Sequence, residues 1–80
     1  MRAHVPMRPT WRCRACVADW PCGPARLALL HEFRGQRIAL CLYLSGQYVD
    51  ALKDFAEYAP NTSTKGLYER FVGWPPIPRL

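Results

Sequence analysis

Three cysteines near the N-terminus have the spacing of metal ligands. Cys13 and Cys16 form a C-x2-C pair, and Cys22 follows after five further residues. Two thiolates separated by two residues can turn back onto one tetrahedral ion, with Zn–S distances of about 2.3 Å. A C-x2-C pair can also perform thioredoxin-like redox chemistry, but the βαβ pattern that surrounds such a pair is missing from this sequence. We therefore predict a metal site with zinc as the ion.

A closed structural site needs a fourth ligand, and the chain offers His4, Cys41 and His31. His4 lies on an irregular arm upstream of the first cysteine and can reach the ion without moving a helix. Cys41 lies in an apolar helical run, where we expect a buried free thiol that behaves as a small hydrophobic residue. His31 lies about 10 Å along a predicted helix, too far from Cys22 to share an ion. The order of preference is His4, then Cys41, then His31.

The elements that position these ligands are predicted to be mainly helical. Residues 1–23 contain three prolines and no helical or strand periodicity, which indicates an irregular metal-binding loop resembling a zinc knuckle. A first helix is expected over 24–34, because Pro24 suits a first helical turn and Gly35 a C-terminal stop. A second helix is expected over 36–59 and ends before Pro60. A third follows, with Thr62 or Ser63 as N-cap and its end at Val72.

The second helix is predicted to supply most of the core through one broad apolar face. Its residues recur at helical spacing, and they are Ile38, Cys41, Leu42, Leu44, Tyr48, Val49, Leu52, Phe55 and Ala56. Residues 74–80, which include three prolines, read as an extended tail. The fold class is therefore mainly α. The chain is expected to form a single domain over 1–80, with a metal-binding loop (1–23), three helices (24–73) and the tail.

Positive charge is concentrated in the half of the chain that carries the metal motif. Residues 1–40 hold seven arginines against two acidic residues, whereas residues 41–80 are balanced. Such a surplus favours an acidic partner or a phosphate backbone, although a GC-rich coding sequence also produces many arginines. Arg8, Arg12 and Arg14 alternate with Trp11 and Trp20, so the arginines could neutralise phosphates while the indoles stack on unpaired bases. The alternative is that both indoles cover the metal loop and pack on the first helix.

Several classes of protein are disfavoured by what the sequence lacks. The first twenty residues contain no apolar signal-peptide region, and the longest apolar run, Ile38 to Leu44, spans only seven residues. A bilayer requires about 18 or more, so we expect a cytoplasmic protein with no membrane contact. The sequence shows neither a nucleophile paired with a base nor a glycine-rich phosphate loop, which argues against an enzyme.

The metal motif extends into a longer pattern that resembles a known group of proteins. Residues 4–16 read H-V-P-M-R-P-T-W-R-C-R-A-C and residues 20–26 read W-P-C-G-P-A-R. They resemble short actinobacterial proteins with the motif H-V-P-x-R-P-x-W-x-C-x2-C-x3-W-P-C-x-P-A, which often carry the label flavin reductase. Their histidine belongs to the motif, so the resemblance implies a Cys3His site on His4, Cys13, Cys16 and Cys22. A translation start at Met7 would remove His4 and leave Cys41 as the alternative fourth ligand.

A second, partial resemblance concerns the iron–sulfur proteins known as WhiB-like regulators. The C-x2-C-x5-C spacing is similar to that of their last three cluster ligands, and a helix follows the final cysteine there too. That similarity implies a [4Fe–4S] cluster as the alternative cofactor. This chain departs from the pattern because it has no upstream cysteine, has prolines after Gly73-Trp74, and has a neutral C-terminal half.

The function indicated by these features is that of a small non-catalytic zinc-binding module. Its role would be interaction or regulation, through a protein or nucleic-acid partner that the sequence does not identify. One alternative is a WhiB-like, redox-responsive iron–sulfur regulator, and another is an accessory of a flavin reductase system. A homodimer could form through the helices or through the C-terminal tail, which is suited to docking in an extended conformation.

Overall fold

The computed structural model describes residues 3–75 and is mainly helical, as predicted. A short antiparallel pair, β1 (Pro6–Met7) and β2 (Arg12–Cys13), precedes three helices. The helices are α1 (Gly23–Glu32), α2 (Arg37–Tyr58) and α3 (Thr64–Phe71). Of the tail predicted over 74–80, residues 76–80 lie outside the described residues. No helix within 3–75 is long and apolar enough to cross a bilayer.

Local sequence signals account for where the helices begin and end. Pro24 occupies the first turn of α1, where its missing N–H has no helical partner to lose. The helix ends at Glu32, two residues before the predicted end, and Gly35 adopts a φ of +74° in the following turn. At the start of α3, the Ser63 hydroxyl accepts a hydrogen bond of 3.1 Å from the Gly66 N–H. Ser63 is thus the N-cap, one of the two residues predicted for that role.

The β pair was not predicted from the sequence. Pro6 pairs with Cys13 and Met7 with Arg12, and the chain reverses between the strands. Each strand has only two residues, which is too short to show the alternation of apolar and polar residues that marks a strand. The expectation that the N-terminal loop contains no strand was therefore wrong. The β1–β2 pair matters for the site, because it holds the arm that carries His4 alongside the segment that carries Cys13.

The core lies where the N-terminal loop, α2 and α3 meet. It combines two tryptophans and two cysteines of the loop with apolar side chains of the three helices, among them Leu44 and Phe71, which are fully buried. Helix α2 contributes Leu40, Leu44, Ala51 and Phe55 to this core. The broad apolar face predicted for α2 was only partly correct, because the helix is apolar on two sides and residues 3–75 cover only one of them. Five of the predicted members are exposed: Ile38, Cys41, Leu42, Val49 and Ala56.

Candidate metal centre

The structure brings His4, Cys13, Cys16 and Cys22 together at one point. One ligand atom from each residue lies within 4.8 Å of the other three. Cys13 and Cys22 are buried, His4 is half-buried and Cys16 is exposed. All four cysteines of the chain are free thiols. The group therefore has the composition, a single histidine and three cysteines, of a closed tetrahedral metal site.

Backbone hydrogen bonds hold the two sides of this cluster in place. The Cys13 N–H donates to the Ala18 carbonyl at 2.7 Å and the Val17 N–H donates to the Cys13 carbonyl at 2.9 Å, which closes the turn that carries Cys16. Val17 has a φ of 63°, in the left-handed region that a β-branched residue seldom adopts. The ordered turn compensates for that local strain. On the other side, the Trp20 indole N–H donates to the His4 carbonyl at 3.1 Å and fixes the arm.

The spacing of the ligand atoms fits a single ion. His4 Nδ1 lies 3.1 Å from the Cys13 sulfur and 3.4 Å from the Cys22 sulfur. In a tetrahedral zinc site, bond lengths of about 2.3 Å to sulfur and 2.0–2.1 Å to nitrogen place sulfur and nitrogen about 3.6 Å apart. A shift of a few tenths of an ångström would therefore admit the ion. Cys22 immediately precedes α1, so binding would also anchor the start of that helix.

The environment of the buried thiols already favours one thiolate. Burial raises the pKa of Cys13, but hydrogen bonds from the Cys16 and Ala15 backbone, with those of the Cys16 and His4 side chains, outweigh it and lower the pKa to about 6. Burial raises the pKa of Cys22, and the neighbouring cysteines raise it further. Because metals bind thiolates, the donors around Cys13 stabilise the form of the side chain that an ion requires.

The metal loop docks onto α2 through a carboxylate that is shared by two of its side chains. Arg8 donates two hydrogen bonds to Asp54, at 2.7 and 2.9 Å. The Trp11 indole N–H donates a third to the same carboxylate, at 2.8 Å. These bonds, that of Arg8 foremost, hold the pKa of Asp54 below its usual value although burial opposes them. Asp54 therefore provides a hydrogen-bond acceptor for the buried Trp11 indole N–H, and its bonds to Arg8 and Trp11 connect the loop to α2.

A second connection joins the loop to α3 through Arg70. Its guanidinium donates to the Trp20 carbonyl at 2.8 Å and also to the Trp11 carbonyl. Beside it, the ring of Phe71 meets Trp11 edge to face at 5.4 Å and Trp20 at 6.0 Å between centroids. Both indoles thus pack against Phe71 of α3, in the same core as Ala25 and Leu29 of α1.

The two alternative ligands lie away from the cluster. Within residues 3–75, the candidate metal group contains neither Cys41 nor His31. His31 is exposed, with its ring nitrogen 3.3 Å from the Arg34 guanidinium. Cys41 is also exposed, so its predicted role as a buried apolar thiol is wrong. The reason is that Cys41 belongs to the uncovered side of α2, next to Ile38 and Leu42.

The residues considered for nucleic-acid binding are divided by the structure. Trp11 and Trp20 are only 1% and 2% exposed, so neither indole presents a face on which a base could stack. The stacking interpretation therefore fails for both. Arg8 is exposed but paired with Asp54, while Arg12 and Arg14 are exposed on the loop surface.

Asp54 and Arg70 join the metal loop to the helices through hydrogen bonds, and neither was predicted from the sequence. Their partners lie 43 to 59 residues away along the chain, and no local pattern relates residues at such separations. The only signal was weak: an arginine beside Phe71, in a short helix with one apolar edge. Comparisons with protein-family models, curated proteins and solved structures found no match.

Proposed function

We propose that this protein is a small non-catalytic zinc-binding module that serves interaction or regulation. The main support is a set of four candidate ligands whose ligand atoms lie within 4.8 Å of one another. They belong to a loop that is hydrogen-bonded to α2 and α3. Catalytic zinc sites keep one position open for water or substrate, whereas structural sites use four protein ligands. The ion would thus be structural, and its task would be to hold residues 3–22 in the docked conformation.

Zinc is favoured over an iron–sulfur cluster by the ligand types and by their closeness. Clusters of four irons are normally held by four cysteines, and this group has three cysteines and a histidine. A four-iron cube would also hold its ligand atoms farther apart than one ion does. The contacts of 3.1 and 3.4 Å between His4 Nδ1 and the sulfurs of Cys13 and Cys22 lie closer to the spacing around one small ion than to that around a cube, which supports zinc in this proposal.

The energetic reason for a metal is the composition of the loop. Ordering each residue costs about 1–2 kcal/mol in backbone entropy, and the regular secondary structure described within the loop is a single two-residue ladder, so the docking contacts of Trp11 and Trp20 must be supplemented. Structural zinc can supply on the order of 10 kcal/mol of apparent binding free energy in small peptides. Such sites persist where thiols remain reduced, so the proposal includes a cytoplasmic location.

The surface of the loop favours a partner that carries negative charge. Arg12 and Arg14 are exposed next to the cluster, and the first forty residues carry the chain's positive surplus. With both indoles buried, a nucleic acid would be held by its phosphates and not by stacking, so an acidic protein surface is an equal match for the loop. Both classes of partner would be attracted through the same two arginines.

Metal-dependent docking is tested by removing zinc and following tryptophan fluorescence. Chelation should expose Trp11 and Trp20 together, shift the emission to the red and leave part of the helical signal of α2. A Cys41→Ser variant is the matched control, because it removes a thiol that lies outside the cluster. Emission and melting temperature that stay unchanged after chelation would overturn the proposal.

The charged surface is tested by salt-dependent binding. An Arg12→Ser/Arg14→Ser variant should lose affinity for a single- or double-stranded oligonucleotide, or for an acidic protein ligand, and a Lys53→Ser variant should not. True phosphate contacts weaken steeply between 50 and 200 mM salt. Absence of oligonucleotide binding at low salt would remove nucleic acid as the partner and leave the acidic protein.

A further inference from the structure

The outer side of α2 is apolar although nothing in the described structure covers it. Four residues along this side, Ile38, Leu42, Ser45 and Val49, form what we call the outer seam. Ile38 is 78% exposed, Leu42 69% and Val49 48%. Contiguous exposed apolar surface on a small protein usually marks a contact with another molecule. The core side of the same helix is already occupied by Leu44 and its neighbours.

The spacing of the outer seam is that of a surface on which a second helix packs. Its members follow one another at intervals of four, three and four residues, the 3-4 repeat by which two helices mesh. None of the four carries a charge, so the seam offers no match to a charged partner. The centre of the seam is small, since Ser45 is followed by Gly46, where an added methyl group would touch no other residue in the described range 3–75. Two helices could therefore approach closely at that point.

We propose that the outer seam is an interface between two antiparallel copies of this chain. A twofold interface must be complementary to itself, and the seam meets that condition. With the axis level with Tyr43 and Leu44, Ile38 of one copy lies opposite Val49 of the other, and Leu42 lies opposite Ser45. Each larger side chain thus meets a smaller one, and no like charges are opposed along the seam.

The small thickness of the molecule supports a second copy of the chain as the partner that covers the outer seam. The Cα atoms span only 15 Å in the shortest direction, about two helix layers, so α2 has its core on one side and its seam on the other. The seam covers twelve residues, or about 18 Å of helix. That length places the interface below the roughly 1,200–2,000 Å² in total that stable complexes bury, in the size class of weak, transient contacts. We therefore expect a dimer that dissociates on the order of micromolar concentrations.

The oligomeric state of matched variants tests the interface. Sedimentation velocity should find the wild-type chain dimeric at about 100 µM, well above the micromolar dissociation expected for so small an interface, and Leu42→Glu monomeric at the same concentration. Leu27→Glu is the control, because Leu27 is 70% exposed on α1 and outside the seam. It should remain dimeric, and so should a chain that ends at Pro75. A monomeric wild-type chain would overturn the proposal, as would a dimer that survives Leu42→Glu, or one that is lost with Leu27→Glu or with residues 76–80.

Cysteine crosslinking in a Cys41→Ser background tests the antiparallel register. Ile38→Cys mixed with Val49→Cys should crosslink under mild oxidation, whereas Ile38→Cys alone should not. In the antiparallel pair the two positions 38 lie about 16 Å apart along the helix axis, beyond the reach of a disulfide. Crosslinking of Ile38→Cys with itself would overturn the register in favour of a parallel pair. Sedimentation velocity involves none of the metal ligands, so its failure is distinguishable from failure of the zinc proposal, and peptide mapping separates a 38–49 disulfide from one that involves Cys13, Cys16 or Cys22.

Discussion

Replacing Arg70 with methionine should undock the metal loop from α3 without removing any metal ligand. The guanidinium donates to the carbonyls of Trp11 and Trp20, and it also lies over the rings of Phe55 and Phe71, at 5.9 and 5.1 Å from their centroids. Methionine keeps a stem of similar length and loses the charged group. The variant therefore measures the contribution of the guanidinium, mainly through its two hydrogen bonds, to the stability of the docked loop.

The expected loss of unfolding free energy in Arg70→Met follows from the kind of hydrogen bond that is removed. A hydrogen bond to a charged group contributes about 1.5–3 kcal/mol, and Arg70 makes two, so we expect a loss of about 3 kcal/mol with the lower figure for each. That is a large part of the roughly 4–12 kcal/mol by which a chain of this length is stable. For a domain of this size, the melting temperature should fall by roughly 12–24 °C.

The assay is thermal unfolding followed by circular dichroism, with the metal content measured in the same samples. Arg34→Met is the matched control, because Arg34 is exposed and its guanidinium lies 3.3 Å from the ring nitrogen of His31, away from the metal loop, and surface substitutions of that kind change stability by about 0.5 kcal/mol or less. Arg70→Lys should fall between the two, because lysine keeps the charge but lacks the planar fork. If Arg70→Met and Arg34→Met melt within about 3 °C of each other, which is less than 1 kcal/mol for a domain of this size, the reasoning about docking is refuted.

Three further predictions concern the ligands and Asp54. The metal should be lost, and the melting temperature should fall sharply, when Cys13, Cys16 or Cys22 is replaced by serine or His4 by alanine. A variant that keeps its metal would show that the replaced residue is not a ligand. Cys41→Ser should keep the metal and change stability by about 0.5 kcal/mol or less, as expected for an exposed side chain, and metal loss would contradict the assignment. Because the pKa of Asp54 is depressed, its stabilisation is complete above the unfolded pKa of about 4 and lost as the pH falls through the folded value. In urea titrations, Asp54→Asn should therefore lower the free energy of unfolding relative to wild type by the same amount at pH 6 and at pH 8. A difference between variant and wild type that grows from pH 6 to pH 8 would contradict this prediction.

The helices and the ligand candidates were accessible from the sequence because their signals are local. Pro24, Gly35 and Pro60 mark helix boundaries through the backbone conformations that they allow or forbid. The cysteine spacing likewise encodes a turn, and His4 was preferred because an irregular arm can reach where a helix cannot. The three cysteines lie within ten consecutive residues, and His4 lies nine positions before the first of them.

What the sequence did not show depends on contacts between distant parts of the chain. The Arg70 bonds to the loop carbonyls span 50 and 59 positions, and a backbone carbonyl leaves no trace in the residue types. The burial of α2 was misjudged for a related reason. Ile38 and Leu44 are equally apolar, and only the placement of the loop and α3 decides that Leu44 is covered while Ile38 stays exposed.

The most direct test of the metal-centred account is native mass spectrometry of the chain purified without added metal. The account predicts one zinc ion per chain, retained in Cys41→Ser and lost in Cys22→Ser. A chain that is folded by circular dichroism yet has the mass of the polypeptide alone would contradict the account. So would the added mass of a four-iron cluster, because it would show that the group on His4, Cys13, Cys16 and Cys22 is not a zinc site.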